Sequence, residues 1–347
     1  MKFLVLRFSS IGDIVLTTPI LRCLHHRYPG AEIHYATKSV YADLLKHNPH
    51  IHHLHLLQGN LLSLITTLRR QRFDYIIDLH NNQRTQLIKW LLFAPATSFP
   101  KLNFKKWLWV NFKINRLPPL HVVDRYFEAV RKLDVRNDNL GLEYYLSEKD
   151  VIGEEFLPSD FQKGFAVWVV GAKQKTKQFP PQKIAETLRM IQGKDIPVVL
   201  LGGREDTATA MEIKYHAPDY PLLDLCGKLT LNQSASAIRQ SNLVVTNDTG
   251  MMHIAAAFKK NTIVLWGNTT PSFGMYPYMT EHINIEVHGL SCRPCSKLGY
   301  ARCPKKHFLC MQSHDPQFIA QEIFRRFHSP ANRENSSTLR STGNMYH

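Results

Sequence analysis

At 347 residues, 44% of them hydrophobic, the chain exceeds the usual size of one domain and has material for two cores. A formal charge of +15, from 43 Lys and Arg against 28 Asp and Glu, favours polyanions: nucleic acid, anionic lipid or phosphorylated saccharide. MKFLVLRF is interrupted too soon for a secretory signal, no apolar run nears the roughly 20 residues of a membrane span, and no KH- or RRM-type signature occurs, so a cytoplasmic protein without a nucleic-acid partner is expected.

Short β-rich runs alternate with segments of helical period from the start: KFLVLRF, then Ile14 to His26; AEIHYAT, then Val40 to Lys46; HHLHLL, then Leu61 to Arg72; FDYIIDLH, then Arg84 to Leu92. That rhythm reads as βαβ units on a parallel sheet. Val122 to Leu133 reads as a helix, and the polar stretch Ser147 to Gly164 as a linker. The rhythm resumes with FAVWVVG, Ile184 to Ile191, PVVLLGG, Ala208 to Tyr215, LLDLCG, Leu231 to Gln240, NLVVTND with a helix from Gly250, and NTIVLWG. The expected organisation is an α/β chain of two Rossmann-like, doubly wound domains, 1–150 and 164–328, joined by a linker 151–163 and facing a cleft. The polar tail 329–347 is expected to be disordered.

Open α/β sheets bind ligands beyond the carboxyl ends of their strands, so chemistry is sought in strand-to-helix loops. In SSIGD, Gly12 permits a tight turn and Asp13 falls at the first turn of a helix, where it serves as an N-cap or, at a cleft, as a general base. In GAKQKTKQFPP, Lys173, Lys175 and Lys177 crowd a loop that a proline ends, and a lysine beside Thr176 ahead of a helix start suits a diphosphate. In TNDTGMMHIAAA, Asp248, Thr249 and Gly250 combine a carboxylate, a hydroxyl and backbone N–H groups at a helix start, with His253 on its first turn. Gly202, Gly203 and Glu205 stand at another strand end, and Leu225 to Gly227 offer backbone that could line a base.

LRFSSIGDIVLTTP, TKQFP, and NDTGMMHIAAAF followed by NTIVLWGNTTP, in that order from Met1 to about Phe327, resemble family 9 glycosyltransferases, the ADP-heptose:lipopolysaccharide heptosyltransferases. The resemblance implies a GT-B fold with the acceptor on the first domain and the nucleotide sugar on the second. It implies Asp13 as catalytic base, with Arg7, Ser10, Gly12 and Arg84 on the acceptor side. Thr176, Lys177, Asp248, Thr249, Gly250, Met251 and His253 match the donor-binding motifs. Inverting transfer of a heptose from an ADP-sugar to an anionic lipopolysaccharide precursor, by a monomer working peripherally at the cytoplasmic face of the inner membrane, is the expected function. Another nucleotide sugar for a surface glycan, or a non-catalytic nucleotide- or polyanion-binding protein on the same fold, is the alternative. GNTTP departs from the more usual G-P-T at Asn268.

Transfer from a nucleoside diphosphate needs a base for the acceptor hydroxyl and cations or N–H dipoles for the departing diphosphate. No cofactor is expected for that chemistry, and no D-x-D motif supports a metal-chelated diphosphate. Cys292, Cys295, Cys303 and Cys310 form a separate C-x2-C, x7, C, x6, C series, a candidate for structural zinc or an iron-sulfur cluster, or else simply thiols.

Overall fold

The computed structural model describes residues 1–329, so the tail expected to be disordered lies, from residue 330 on, outside the described residues. The chain divides into two compact units, Met1–Ser147 with Ser272–Met279, and Glu148–Pro271 with the chain from Thr280 onward. The segment read as a linker belongs to the second unit, because Ile152, Leu157 and Phe161 are buried and the Ile152 N–H donates to the Ser236 hydroxyl (3.1 Å).

The first unit comprises β1 (Lys2–Leu6), α1 (Ile11–Val15), α2 (Thr18–Arg27), β2 (Glu32–Lys38), β3 (His53–Leu57), α3 (Leu61–Gln71), β4 (Tyr75–Asp78), α4 (Gln83–Leu92), β5 (Ala96–Ser98), α5 (Asn103–Phe112) and α6 (Val122–Phe127). Its five strands run in the order β3-β2-β1-β4-β5, all parallel. On β1, Phe3 to Leu6 are fully buried, the near-continuous apolar run that a sheet covered on both faces requires. Where one helix was expected from Ile14 to His26, there are two. Pro19 lacks an N–H and its ring would meet the carbonyl four residues back, so the helix stops and restarts. The hydroxyls of Thr17 and Thr18 take the carbonyls freed at Ile14 (2.7 Å) and Val15 (2.8 Å). The stretch Ser39–Leu44 is a 3-10 turn rather than an α-helix, and the helix expected from Val122 to Leu133 stops at Phe127.

The second unit comprises α7 (Ser159–Gln162), β6 (Ala166–Val169), α8 (Pro181–Met190), β7 (Val198–Leu201), α9 (Thr207–His216), β8 (Leu222–Asp224), α10 (Leu231–Gln240), β9 (Leu243–Asn247), α11 (Gly250–Ala257), β10 (Thr262–Trp266), β11 (His282–Glu286), α12 (Leu309–Gln312) and α13 (Pro316–Phe327). Its six parallel strands run β11-β10-β9-β6-β7-β8. β6, β7, β9 and β10 are buried along their whole length, with Trp168, Phe179, Ile184 and Leu188 among the residues of the core. β11, α12 and α13 were not anticipated from the strand rhythm; Ile319 and Ile323 of α13 complete this core.

Each sheet has one topological switch point, where successive crossovers part in opposite directions: between β1 and β4 in the first unit, and between β6 and β9 in the second. Loops at such a point diverge and leave a crevice beyond the strands' carboxyl ends. The loops after β1 and β4, and those after β6 and β9, are therefore the places where the fold presents side chains to a ligand.

Candidate active site

At the end of β1 the chain turns through Ser9 and Ser10 into α1. Ser10, not Asp13, is the N-cap; Asp13 is the third helical residue and reaches back, its Oδ2 accepting from the Ser10 N–H (3.1 Å) and hydroxyl (2.9 Å). Gly12 is buried inside α1 rather than forming the turn. The other carboxylate oxygen meets the Arg7 guanidinium, Nη2 to Oδ1 2.6 Å, and the Asp13 side chain is 25% exposed, so it reaches solvent. Arg7 is 7% exposed, and its Nε and Nη1 donate to the carbonyls of Ser9 (2.6 Å) and Leu79 (2.5 Å). It thereby ties the end of β1 to the end of β4. Burial opposes its charge, but the fields of Asp13, Tyr126 and Tyr35 outweigh it and hold its pKa above the ordinary value.

β4 contributes the rest of this cluster. The fully buried Asp78 accepts from the backbone N–H groups of His80 (3.0 Å) and Asn81 (2.7 Å) and pairs with Lys89 (3.0 Å), which fixes the loop. His80 accepts from the Phe8 N–H at Nδ1 (3.2 Å). Burial, with Arg7 and Lys101, pushes its pKa down to about 4, so it is neutral at physiological pH. His80 was not singled out from sequence, although its position at the end of FDYIIDLH, a strand leading to a loop, was the available signal. Arg84 stacks over the Phe8 ring at 5.5 Å. Arg7, Ser10, Asp13 and Arg84 thus stand around one switch point, that between β1 and β4.

In the second unit the loop after β6 folds into a 3-10 turn, Lys175–Lys177. Of its three lysines, Lys173 and Lys175 are exposed, while Lys177 turns inward to Asp248, Nζ to Oδ2 2.6 Å. The same oxygen accepts from the Thr269 hydroxyl (2.8 Å), which joins the loops after β6, β9 and β10 in one cluster. Thr249 caps α11, and Gly250 and Met251 follow as its first, partly exposed residues. Asn247 holds β9 to β6 through the carbonyls of Val169 (3.3 Å) and Val170 (3.4 Å).

Two residues expected to contact donor sit otherwise. Thr176 is 2% exposed and its hydroxyl is engaged with Tyr300, donating to the carbonyl (3.0 Å) and accepting from the N–H (2.8 Å). It clamps a loop rather than offering a hydroxyl. His253 is 2% exposed within α11 and presents no open face at the helix start. Gly202 and Gly203 belong to a helix-start turn, where the Gly203 N–H donates to Asp206 (2.9 Å).

Arg293, which the motif reading passed over inside C-R-P-C, organises the GNTTP loop. Only 8% of its side chain is exposed; Nε donates to the Gly267 carbonyl (2.6 Å) and Nη2 to that of Thr269 (2.7 Å), with Glu286 as counter-ion (2.5 Å). Gly267 is required there, since a Cβ would lie 2.7 Å from the Thr176 carbonyl and 2.8 Å from Met311. Asn268, at the departure from G-P-T, is buried with both side-chain polar atoms lacking hydrogen-bond partners.

Among the described residues, Glu32, His34 and His53 are the group of potential metal ligands whose atoms gather within 4.8 Å; the four cysteines do not form such a group. Lys2 already pairs with Glu32 (3.3 Å). Burial raises the Cys310 thiol to about 11, Arg293 opposes this, and Cys303 and Cys292 add to it.

The model of family 9 glycosyltransferases (heptosyltransferases) matches residues 61–304, more than half of the chain. The chain belongs to glycosyltransferase family 9. Relatives within reach of this family 9 member include lipooligosaccharide heptosyltransferase 2 of Haemophilus influenzae, 26% identical over 79% of this chain and 85% of the relative. Lipopolysaccharide heptosyltransferase 3 of Escherichia coli is 25% identical over 76% and 81%. Among solved structures, the ADP-heptose lipopolysaccharide heptosyltransferase II of E. coli superposes with a TM-score of 0.70 at 21% identity, covering 98% of this chain and all of that one. The fold is GT-B and the family 9 chain is a glycosyltransferase.

Proposed function

We propose that this family 9 glycosyltransferase moves a heptose from ADP-heptose to the inner core of a lipopolysaccharide precursor, inverting the anomeric centre. The observation that carries the reading is that each sheet's switch point holds one half of the required chemistry: an Asp13 carboxylate open to solvent in the first unit, and a lysine beside a helix N-terminus in the second.

In the reaction, Asp13 accepts the acceptor hydroxyl's proton as that oxygen bonds to the anomeric carbon. The bond from that carbon to the diphosphate breaks, and ADP leaves with the electron pair. Lys177 and the N–H groups of Gly250 and Met251 lower the energy of the negative charge that builds on the diphosphate, the helix dipole adding to the effect. Asp248 orients Lys177 and meets the sugar, and Thr249 adds a hydroxyl at the helix start. Arg7 holds the Asp13 carboxylate in place, and Arg84 presents a cation to the acceptor. Neither Thr176 nor His253 touches the donor in this scheme, and no cofactor enters it.

The acceptor is polyanionic and anchored in lipid, so the chain works as a peripheral protein at the cytoplasmic surface of the inner membrane. The net charge of +15 suits that partner. The deciding experiment follows ADP release from ADP-heptose with a deacylated inner-core acceptor, beside a panel of other nucleotide sugars. Turnover preferring a different nucleotide sugar, or none with any donor, overturns the reading.

A further inference from the structure

α5, NFKKWLWVNF, is a helix without a single buried residue, and the whole stretch from Lys101 to Leu120 is intermediate or exposed. Phe104 is 69%, Trp107 50%, Phe112 59% and Ile114 47% exposed. A helix this apolar normally buries a face. Phe104, Trp107, Leu108 and Phe112 fall at i, i+3, i+4 and i+8, one stripe. Its exposed rings touch one another: Phe104 stacks on Trp107 at 6.0 Å, and Trp107 meets Phe112 edge-on at 5.3 Å. Trp109 anchors the helix to its own unit against Phe273, 5.2 Å away. The exposed patch is therefore contiguous and held in place, unlike isolated surface apolar residues, which need no explanation.

The surrounding charge identifies what covers it. From Leu79 to Val123 the sequence has no Asp or Glu, and seven cations: Arg84, Lys89, Lys101, Lys105, Lys106, Lys113 and Arg116. An aromatic stripe whose charged neighbours along the chain are all cations repels a second copy of itself, since a two-fold interface would set like charges together. It fits a surface that is apolar below and anionic above, with the rings at headgroup depth and lysine stems reaching to the phosphates.

We infer that α5 is the membrane-docking element of this chain, inserting Phe104, Trp107 and Phe112 into the interface of a bilayer that carries anionic phospholipid. This deepens the proposed function, resting on it only for the reason a lipid-anchored acceptor must be met at a membrane.

The test is sedimentation of the full chain with vesicles of phosphatidylcholine alone and of phosphatidylcholine with phosphatidylglycerol. The wild type is expected to pellet with the anionic vesicles only. The triple change Phe104→Ser, Trp107→Ser, Phe112→Ser is expected to lower that partition more than tenfold, and Lys105→Gln with Lys106→Gln about fivefold per lysine. All variants should keep the wild-type melt and undiminished turnover on a deacylated, soluble acceptor. Trp fluorescence of the unmutated chain should be quenched by brominated anionic lipid, a readout that needs no variant to fold. No binding of the wild type to anionic vesicles, equal binding by the triple variant, or a dimer abolished by it would overturn the inference. Vesicle binding without heptose transfer would sink the proposed reaction and leave α5 as a docking element.

Discussion

Replacing Asp13 by Asn tests its proposed role as base with the smallest change in shape, but it also removes the counter-ion of a buried arginine. Arg7 is 7% exposed and meets Asp13 at 2.6 Å. At an effective dielectric constant near 20, charges about 4 Å apart attract by roughly 4 kcal/mol. Removing one partner of a fully buried pair costs about 3–5 kcal/mol. Asp13 is 25% exposed, so water takes up part of the loss and a fall in stability of about 2 kcal/mol is expected. The chemical loss is larger, since a positioned base contributes about 10²–10⁴-fold. Urea unfolding reads the first quantity, and ADP release with a deacylated acceptor the second. Calorimetric ADP titration should be unchanged, because the residues proposed to hold ADP are all in the other unit. Ser10→Ala separates support of the carboxylate from catalysis: it removes the hydroxyl's hydrogen bond to Asp13 (2.9 Å) at a cost of about 1 kcal/mol and should leave turnover close to wild type. A folded Asp13→Asn chain that binds ADP and turns over within about tenfold of wild type would refute the reasoning.

Lys177→Ala should weaken ADP binding by at least about tenfold and slow transfer as well, because it removes a cation and leaves Asp248 unneutralised beside the diphosphate position; equal ADP affinity by calorimetry would contradict this. Arg293→Met should cost about 3 kcal/mol in urea unfolding, since it strands Glu286 and two loop carbonyls, and should also loosen ADP binding through the 267–269 loop. A variant as stable as wild type would show that the loop holds without it. His314 is 3% exposed, and burial, opposed by its bond to the Trp266 carbonyl, pushes its pKa down to about 4. Unfolded, it protonates near 6.5, so between these values unfolding takes up a proton. Stability is therefore full above about pH 6.5 and declines as pH falls, by up to about 1.4 kcal/mol per pH unit for this group. His80 acts in the same direction. Denaturation curves at several pH values should show the decline, and His314→Gln should flatten it; an unchanged slope would remove His314 as its source.

The strand rhythm was legible because parallel strands covered on both faces must be apolar almost throughout, as in FLVL of β1 and VVLL of β7, and few other patterns look like that. The motif residues were legible for a related reason: the places where Asp13, Lys177 and Asp248 stand are strand-to-helix junctions, and a polar group there after an apolar run stands out. What stayed hidden depends on partners far along the chain. Thr176 reads as a donor contact until Tyr300, 124 residues on, is seen to occupy its hydroxyl. Arg293 looks like a solvated cation beside two cysteines until the carbonyls of Gly267 and Thr269 converge on it. His80 looks like the end of a strand until Arg7, 73 residues earlier, adds its field.

Local chemistry in the sequence by itself determined the two α/β domains, the order of most of their elements and the polar strand-to-helix loops proposed here to hold the base and the diphosphate. Tertiary structure alone decided which hydroxyls and cations in those loops are already engaged, and that among the described residues none of α5 is buried. The reason is that hydrophobic periodicity and helix capping act over a few residues, whereas burial and hydrogen-bond satisfaction are settled only when distant segments meet.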